Sequence, residues 1–232
     1  MDTPKDIIDL IEKKAIVKQE VYANTQLQFN LLKKIVKKSV QEYSKLIQQK
    51  DERVEVSYVS REKFDAKLKI GGDTILFHMH TNVFGFDDKH QIWKKSYVKK
   101  EPSMAYCGMI NVYNFLSDSF KFNRTRDAGY LVARIFINKE NHFFVEGKQR
   151  LGFVFNDFAN DVFDENKMRK VIDNIIVFAL NFELQTPPFD SMAQISISQI
   201  SELTNNSKLT TDKRLGFKFK SELSLSSRAK SV

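Results

Sequence analysis

A chain of 232 residues with 42% hydrophobic side chains and twenty Phe holds enough apolar material for one sizeable core, which excludes an intrinsically disordered protein. The formal charge of +8 is unevenly spread: residues 1–52 hold ten bases and eight acids (+2), residues 53–190 twenty and eighteen (+2), and residues 191–232 seven and three (+4). The lone Cys107 excludes an internal disulfide and a zinc site of several thiolates, and no apolar run is long enough to span a bilayer.

These features predict a cytoplasmic protein with no membrane attachment. Met1 to Asp6 contain no apolar signal core, and Tyr106 and Met109 beside Cys107 predict an inert, buried thiol.

Thr3 is placed to cap a helix with Pro4 at its first position and Asp6 in its first turn. Ile7, Ile8, Leu10, Ile11, Ala15, Val17 and Val21 give this helix an apolar side. Asn24 and Thr25 interrupt it, and Thr25 with Gln28 forms a second capping box. The next helix carries Phe29, Leu32, Val36, Val40, Tyr43 and Ile47, a stripe for a core or a partner. The same residues also accommodate one long helix.

Near Glu52 the hydrophobic period drops to two, so helices give way to an antiparallel sheet. Val54, Val56 and Tyr58 alternate, as do Phe64, Ala66, Leu68 and Ile70, and then Ile75, Phe77, Met79, Thr81 and Val83. Gly71-Gly72 between the last two runs predicts a hairpin with a type I′ turn. Ile92 to Val98 and Met104 to Leu116 are further strands. Tyr130 to Ile137 and His142 to Glu146 form a second hairpin, which Leu151 to Phe155 extends.

Asp164 caps a helix whose buried face is Met168, Val171, Ile172, Ile175, Ile176, Ala179 and Phe182. Beyond Pro187-Pro188, Ile195, Ile197, Leu215, Phe217 and Phe219 alternate weakly, and the end from Ser224 is expected to be mobile.

The pattern defines an α+β fold: an N-terminal helical hairpin or long helix, then a mainly antiparallel sheet covered by a helix near 165–184. Three parts follow: a helical arm at 1–52, an α+β core at 53–190, and a basic extension at 191–232. The N-terminal helices either complete the covering layer or project as a dimerisation arm.

His78 and His80 stand two apart on a predicted strand, so both rings point to one face and form a candidate metal pair. Asp87, Asp88 and His90 are candidates for a third ligand. Gly72, His78 and His80 resemble the opening of the first cupin motif, a glycine, five residues and His-x-His. Phe84 and Gly85 stand where that motif has its Glu, and no second motif follows.

Asp127 with Glu146-Gly147-Lys148 resembles the Asp…Glu-x-Lys layout of restriction-type nucleases, in which carboxylates hold a metal. Acid-x-Lys also occurs at Glu12/Lys14, Asp65/Lys67, Asp87/Lys89 and Glu165/Lys167, so its specificity is poor.

In an extended segment Trp93, Lys95, Tyr97 and Lys99 would share one face, with Lys94 and Lys100 beside them. Rings that stack on bases and ammonium groups that meet phosphates make this a candidate nucleic-acid or anion site. Arg124, Arg126 and the basic tail would add to it. Lysines on an edge strand that blocks sheet-to-sheet pairing have the same pattern. Lys33, Lys34, Lys37 and Lys38 form a second basic cluster on the helix with the Phe29–Ile47 stripe.

The sequence assigns no catalytic residue and no cofactor. It favours a non-catalytic binding or regulatory module acting through protein or ligand contacts, with homo-oligomers formed through the N-terminal helices. The alternatives are a nucleic-acid-associated protein built on the Trp93–Lys100 segment and a metal-dependent enzyme built on His78 and His80.

Overall fold

In the computed structural model the described residues are 3–147, 151–183, 188–192, 194 and 196–198. The expected strands beyond Pro188 lie outside them, except at Ile197, which is not in a strand.

Thr3 opens the first helix through a capping box: its Oγ1 accepts from the Asp6 amide (3.4 Å), and the Asp6 carboxylate accepts from the Thr3 amide (2.7 Å). From there α1 (Pro4–Leu10), a π-helical segment (Ile11–Ile16) and α2 (Val17–Gln48) run on without a break, a rod of roughly 65 Å. Asn24 and Thr25 do not interrupt it. Thr25 is fully buried, and its hydroxyl donates to the Val21 carbonyl one turn back at 2.7 Å. That bond satisfies the hydroxyl within the helix and removes the need for a cap.

Six strands form one antiparallel sheet in sequence order: β1 (Val56–Val59), β2 (Asp65–Ile70), β3 (Asp73–Met79), β4 (Gly108–Leu116), β5 (Tyr130–Ile137) and β6 (Phe143–Gly147). The β2–β3 turn is Gly71-Gly72, but only Gly71 has a positive φ, +54°. One positive φ at the first central position is the pattern of a type II′ turn, not type I′.

One face of the sheet carries Leu68, Ile75, Phe77, Ile110, Val112, Ile135, Phe143 and Val145, all buried. Against it pack α2, through Phe29, Leu32, Val36 and Val40, and α6 (Glu165–Leu180), through Met168, Val171, Ile172 and Ile175. A single core therefore draws on residues from both sides of position 52. The stripe on α2 belongs to it, while none of residues 4–16 is buried. Arg169 ties the two helices together: it donates to Asp173 (3.0 Å), Glu42 (2.8 Å) and the Tyr43 hydroxyl (2.9 Å).

Two predicted strands are helical. Residues 91–94 form a 3₁₀ turn, and α3 (Ser96–Lys100) follows. His90 caps the turn by accepting the Ile92 amide on Nδ1 at 3.2 Å, and Pro102 forces Glu101 into an extended conformation that ends α3. Residues 151–155 do not extend the sheet. They form α5 (Leu151–Val154), and the Phe155 carbonyl accepts the Val145 amide at 2.8 Å. The strand expected from Met104 begins at Gly108, after a 3₁₀ turn over Pro102–Ala105.

Candidate ligand face on the open side of the sheet

Strand register sets the second face in rows. Ser57, Lys69, Thr74 and Phe115 are successive cross-strand partners, as are Val59, Lys67, Leu76, Tyr113 and Leu131. A third row runs Asp65, His78, Asn111, Arg134 and Glu146, and a fourth Met109, Phe136 and Phe144.

The fourth row is covered. Phe84 and Cys107 exchange both backbone hydrogen bonds (2.8 and 3.0 Å) and pinch off residues 85–106 as a flap. Ile92, Val98, Met104 and Ala105 of that flap are buried against Met109, Phe136, Phe144 and Phe158. Asn138 fastens it: its side-chain amide donates to the Tyr97 hydroxyl (3.0 Å) and the Met104 carbonyl (3.3 Å). Its Oδ1 accepts the Glu140 and His142 amides.

At the other end, α4 (Ser117–Lys121) and the loop to Gly129 fold over Phe115. A Cβ on Gly129 would stand 2.4 Å from that ring. The loop is braced by Arg124 and Asp127, whose side chains are 5% and 8% exposed and pair at 2.8 Å. The Ser119 hydroxyl donates to the same carboxylate at 2.6 Å.

Among the described residues, the face between these covers is open. His78 and Arg134 are exposed, and Lys67, Leu76 and Tyr113 are half-buried. At the β1–β2 end it deepens into a hollow of about 500 Å³ lined by Glu55, Arg61, Glu62, Asp65, Lys67, Lys69, Thr74, Phe120 and Lys121, with Ser117 beside Thr74. Thr74 and Ser117 are buried, their hydroxyl oxygens 2.9 Å apart. Lys69 is neutralised by Glu55, whose carboxyl its ammonium and the Ser57 hydroxyl hold below the usual carboxylate range. Lys67 places its ammonium 4.3 Å from the centre of the Phe120 ring, and Lys121 lies 5.1 Å from that of Phe122. Among the described residues neither is in an ion pair.

The two histidines of the candidate metal pair have different surroundings. His78 stands on the open face. His80 lies past the end of β3, where its Nδ1 accepts the Asn82 amide at 3.0 Å and its ring meets Phe84 edge-on. Among the described residues no three His, Cys, Asp or Glu side chains converge as a metal site would need. His90 is turned to Glu146 (3.7 Å), and Glu146 also pairs with Arg134. Asp127 is engaged with Arg124 and Ser119, and Lys148 lies outside the described residues.

The helical geometry of 91–100 removes the shared face expected for Trp93, Lys95, Tyr97 and Lys99. Trp93 packs against the flap core and donates from Nε1 to the Asp87 carbonyl (2.9 Å). Tyr97 stacks on His142 at 4.6 Å and donates to Glu140 at 2.6 Å. Lys95 is half-buried and reaches the Asn156 carbonyl, while Lys94, Lys99 and Lys100 are exposed. In the second basic cluster, Lys33 donates to the carbonyls of Glu62 and Lys63, while Lys34, Lys37 and Lys38 point to solvent.

Two site features were hidden from the sequence. The third row exists only through register between strands up to 81 positions apart (Asp65 to Glu146). The hollow needs α4, which was not anticipated; Ser117 followed by Asp118 after an apolar run was its one signal.

Set against protein-family models, curated proteins and solved structures, the chain has no significant match. No helix among the described residues is long and apolar enough to cross a membrane.

Proposed function

We propose that this protein is a non-catalytic binding module that takes an anionic ligand on the open face of its sheet. The observation that carries the reading is a hollow with a hydroxyl floor, Thr74 and Ser117, whose lining sets four bases (Arg61, Lys67, Lys69, Lys121) against three acids (Glu55, Glu62, Asp65), with Lys67 and Lys121 in no ion pair among the described residues. A phosphate or carboxylate there meets two cations and the one hydroxyl hydrogen that the Thr74–Ser117 pair does not use internally. The apolar part of the ligand rests on Phe120 and, toward the centre of the sheet, on Leu76 and Tyr113. Two acids of the face are already engaged, Glu146 with Arg134 and His90 and Glu55 with Lys69, which favours binding over catalysis.

Inorganic pyrophosphate and adenosine monophosphate are suitable probes, titrated at millimolar concentrations while the thermal midpoint is followed. A ligand that binds only the folded state at about 100 times its Kd adds roughly 2.7 kcal/mol of stability. The wild type should rise by several degrees with at least one probe, and a Lys67→Ala/Lys121→Ala variant should not. Equal shifts in both proteins, or none in either, would reject the hollow as an anion site.

A further inference from the structure

The helix α2 turns Phe29, Leu32, Val36 and Val40 to the sheet, and its opposite side faces outward. Between Asn30 and Gln48 its exposed residues are four lysines (Lys34, Lys37, Lys38, Lys45), three amides (Asn30, Gln41, Gln48) and Leu46. None of these is an acid, and residues 21–41 contain no acid at all. Glu42, on the flank, is taken by Arg169 at 2.8 Å. Lys33 is turned to the β1–β2 connection, where it donates to the Glu62 and Lys63 carbonyls. Among the described residues none of the four exposed lysines is in an ion pair.

A helix face that only has to stay solvated mixes charges of both signs, commonly at i, i+4. This chain does so elsewhere: Lys13 lies 4.0 Å from Asp9, and Arg169 lies 3.0 Å from Asp173. The outer face of α2 instead sets Lys34 one turn before Lys38, with Lys37 beside both. Their ammonium groups repel one another, and a polyanion laid along the helix relieves that repulsion. Lys34, Lys38, Gln41 and Lys45 fall at i, i+4, i+7 and i+11, a single stripe of roughly 17 Å. Lysine with Asn and Gln is a set that meets phosphate and sugar oxygens.

The rest of the helix selects among polyanions. An anionic membrane holds an amphipathic helix by its apolar face, and that of α2 is buried in the core. A single strand of nucleic acid is held by bases stacked on aromatic rings. Here Tyr22, Phe29 and Tyr43 pack in or against the core, and the outer face carries no ring. Charge and hydrogen bonding along a rigid rod remain, and the stripe matches about five base pairs of a duplex. We infer that the outer face of α2 is a docking surface for double-stranded nucleic acid, gripped through its phosphates without regard to sequence. Lys34, Lys37, Lys38 and Lys45 supply the cations, and Asn30 and Gln41 the neutral donors. This surface is separate from the hollow, which opens on the other face of the sheet.

Fluorescence anisotropy of a short labelled duplex, titrated with the full chain, tests this. In about 50 mM salt binding should be micromolar. Four phosphate contacts give a slope of about −3.6 in log K against log salt, so about 200 mM salt should weaken binding roughly a hundredfold. Lys34→Ala/Lys37→Ala/Lys38→Ala/Lys45→Ala keeps good helix formers at exposed positions, so its thermal midpoint should hold. Its affinity in low salt should fall at least about tenfold and its salt dependence should flatten. The single change Lys38→Ala should lower the slope by about one. Removing four lysines elsewhere, in Lys94→Ala/Lys95→Ala/Lys99→Ala/Lys100→Ala, should leave binding nearly as in the wild type, which separates this surface from bulk charge. A single strand of the same sequence should bind more weakly. The inference is overturned by a wild type that ignores the duplex, including one held instead by phosphatidylglycerol vesicles. It is also overturned if the two quadruple variants lose affinity alike, if the α2 variant loses none, or if the single strand binds as tightly as the duplex.

Discussion

Gly108 opens β4 where α2 crosses the sheet, and it holds the closest approach between helix and strand. A Cβ there would lie 2.0 Å from the Thr25 hydroxyl oxygen and 2.6 Å from its methyl carbon. Gly108→Ala must push the helix away from the sheet, and overpacking of this kind costs roughly 1–3 kcal/mol. Urea unfolding should show that loss, and Thr25→Ala in the same chain should restore part of it. Cys107, one residue earlier, is fully buried, and burial raises its thiol pKa. The native thiol should therefore ignore a thiol reagent at pH 8 that the unfolded chain consumes at once. The sign of its pH effect follows. Folding keeps the thiol neutral, so its contribution to stability is complete below the unfolded pKa of about 8.5 and is lost as pH rises above it. An unfolding midpoint that climbs from pH 8 to pH 10 would contradict this. The burial of Cys107 was legible from its apolar neighbours. The Gly108–Thr25 contact was not, because nothing in the sequence says that these two positions meet.

The elements differ in how openly the sequence encodes them. Long periodic segments were plain: the α2 stripe, α6 and the alternation of β2 and β3 each repeat one period over several turns or residues, and all lie in the same core. The 91–100 segment misled because helical packing imitated alternation. Its buried residues, Ile92 and Val98, stand six apart, while Trp93 and Tyr97, on two short helices joined at the extended Lys95, both pack on the flap core. Reading the intervening lysines as the same face required an extended chain that His90 and Pro102 do not allow. Leu151 to Phe155 failed similarly, as a short apolar run reads equally as strand or helix. Burial along the N-terminal rod begins only at Val17. Leu32 is fully buried, so Leu32→Asp places a charge in the core at a cost of several kcal/mol, comparable to the stability of a whole domain. That variant should be unfolded or aggregated by circular dichroism. Lys94/Lys95/Lys99/Lys100→Ala, by contrast, should keep the native spectrum, since three of the four are exposed. If it also binds a labelled oligonucleotide as the wild type does at low salt, the flap lysines play no part in any polyanion contact.

At the scale of the molecule, the sheet has two unequal sides. One is sealed by α2 and α6 around the main core; among the described residues the other is covered at its ends, by the flap and by the α4 loop, with the polar rows between them open. Both cores use the same strands, since Ile135, Ile137, Phe143 and Val145 face the helices while Phe136 and Phe144 face the flap. Loss of the sheet must therefore release both. Trp93 is the only tryptophan and sits on the flap, so its fluorescence reports the minor core, whereas far-UV circular dichroism reports the helices and sheet. The two guanidinium transitions should coincide in midpoint and slope, as one cooperative unit requires. The clasp that enforces this is Asn138, which is fully buried and joins three regions: its side chain holds the flap at Tyr97 and Met104, and its carbonyl accepts from Asn24 of α2 at 2.7 Å. Asn138→Ala leaves the Met104 carbonyl and the Glu140 and His142 amides without their side-chain partner, a loss of roughly 1–3 kcal/mol for each group left buried and unpaired. The expected result is an earlier Trp93 transition that separates from the circular dichroism transition. Separation already in the wild type would instead make the flap an independently opening lid over the fourth row.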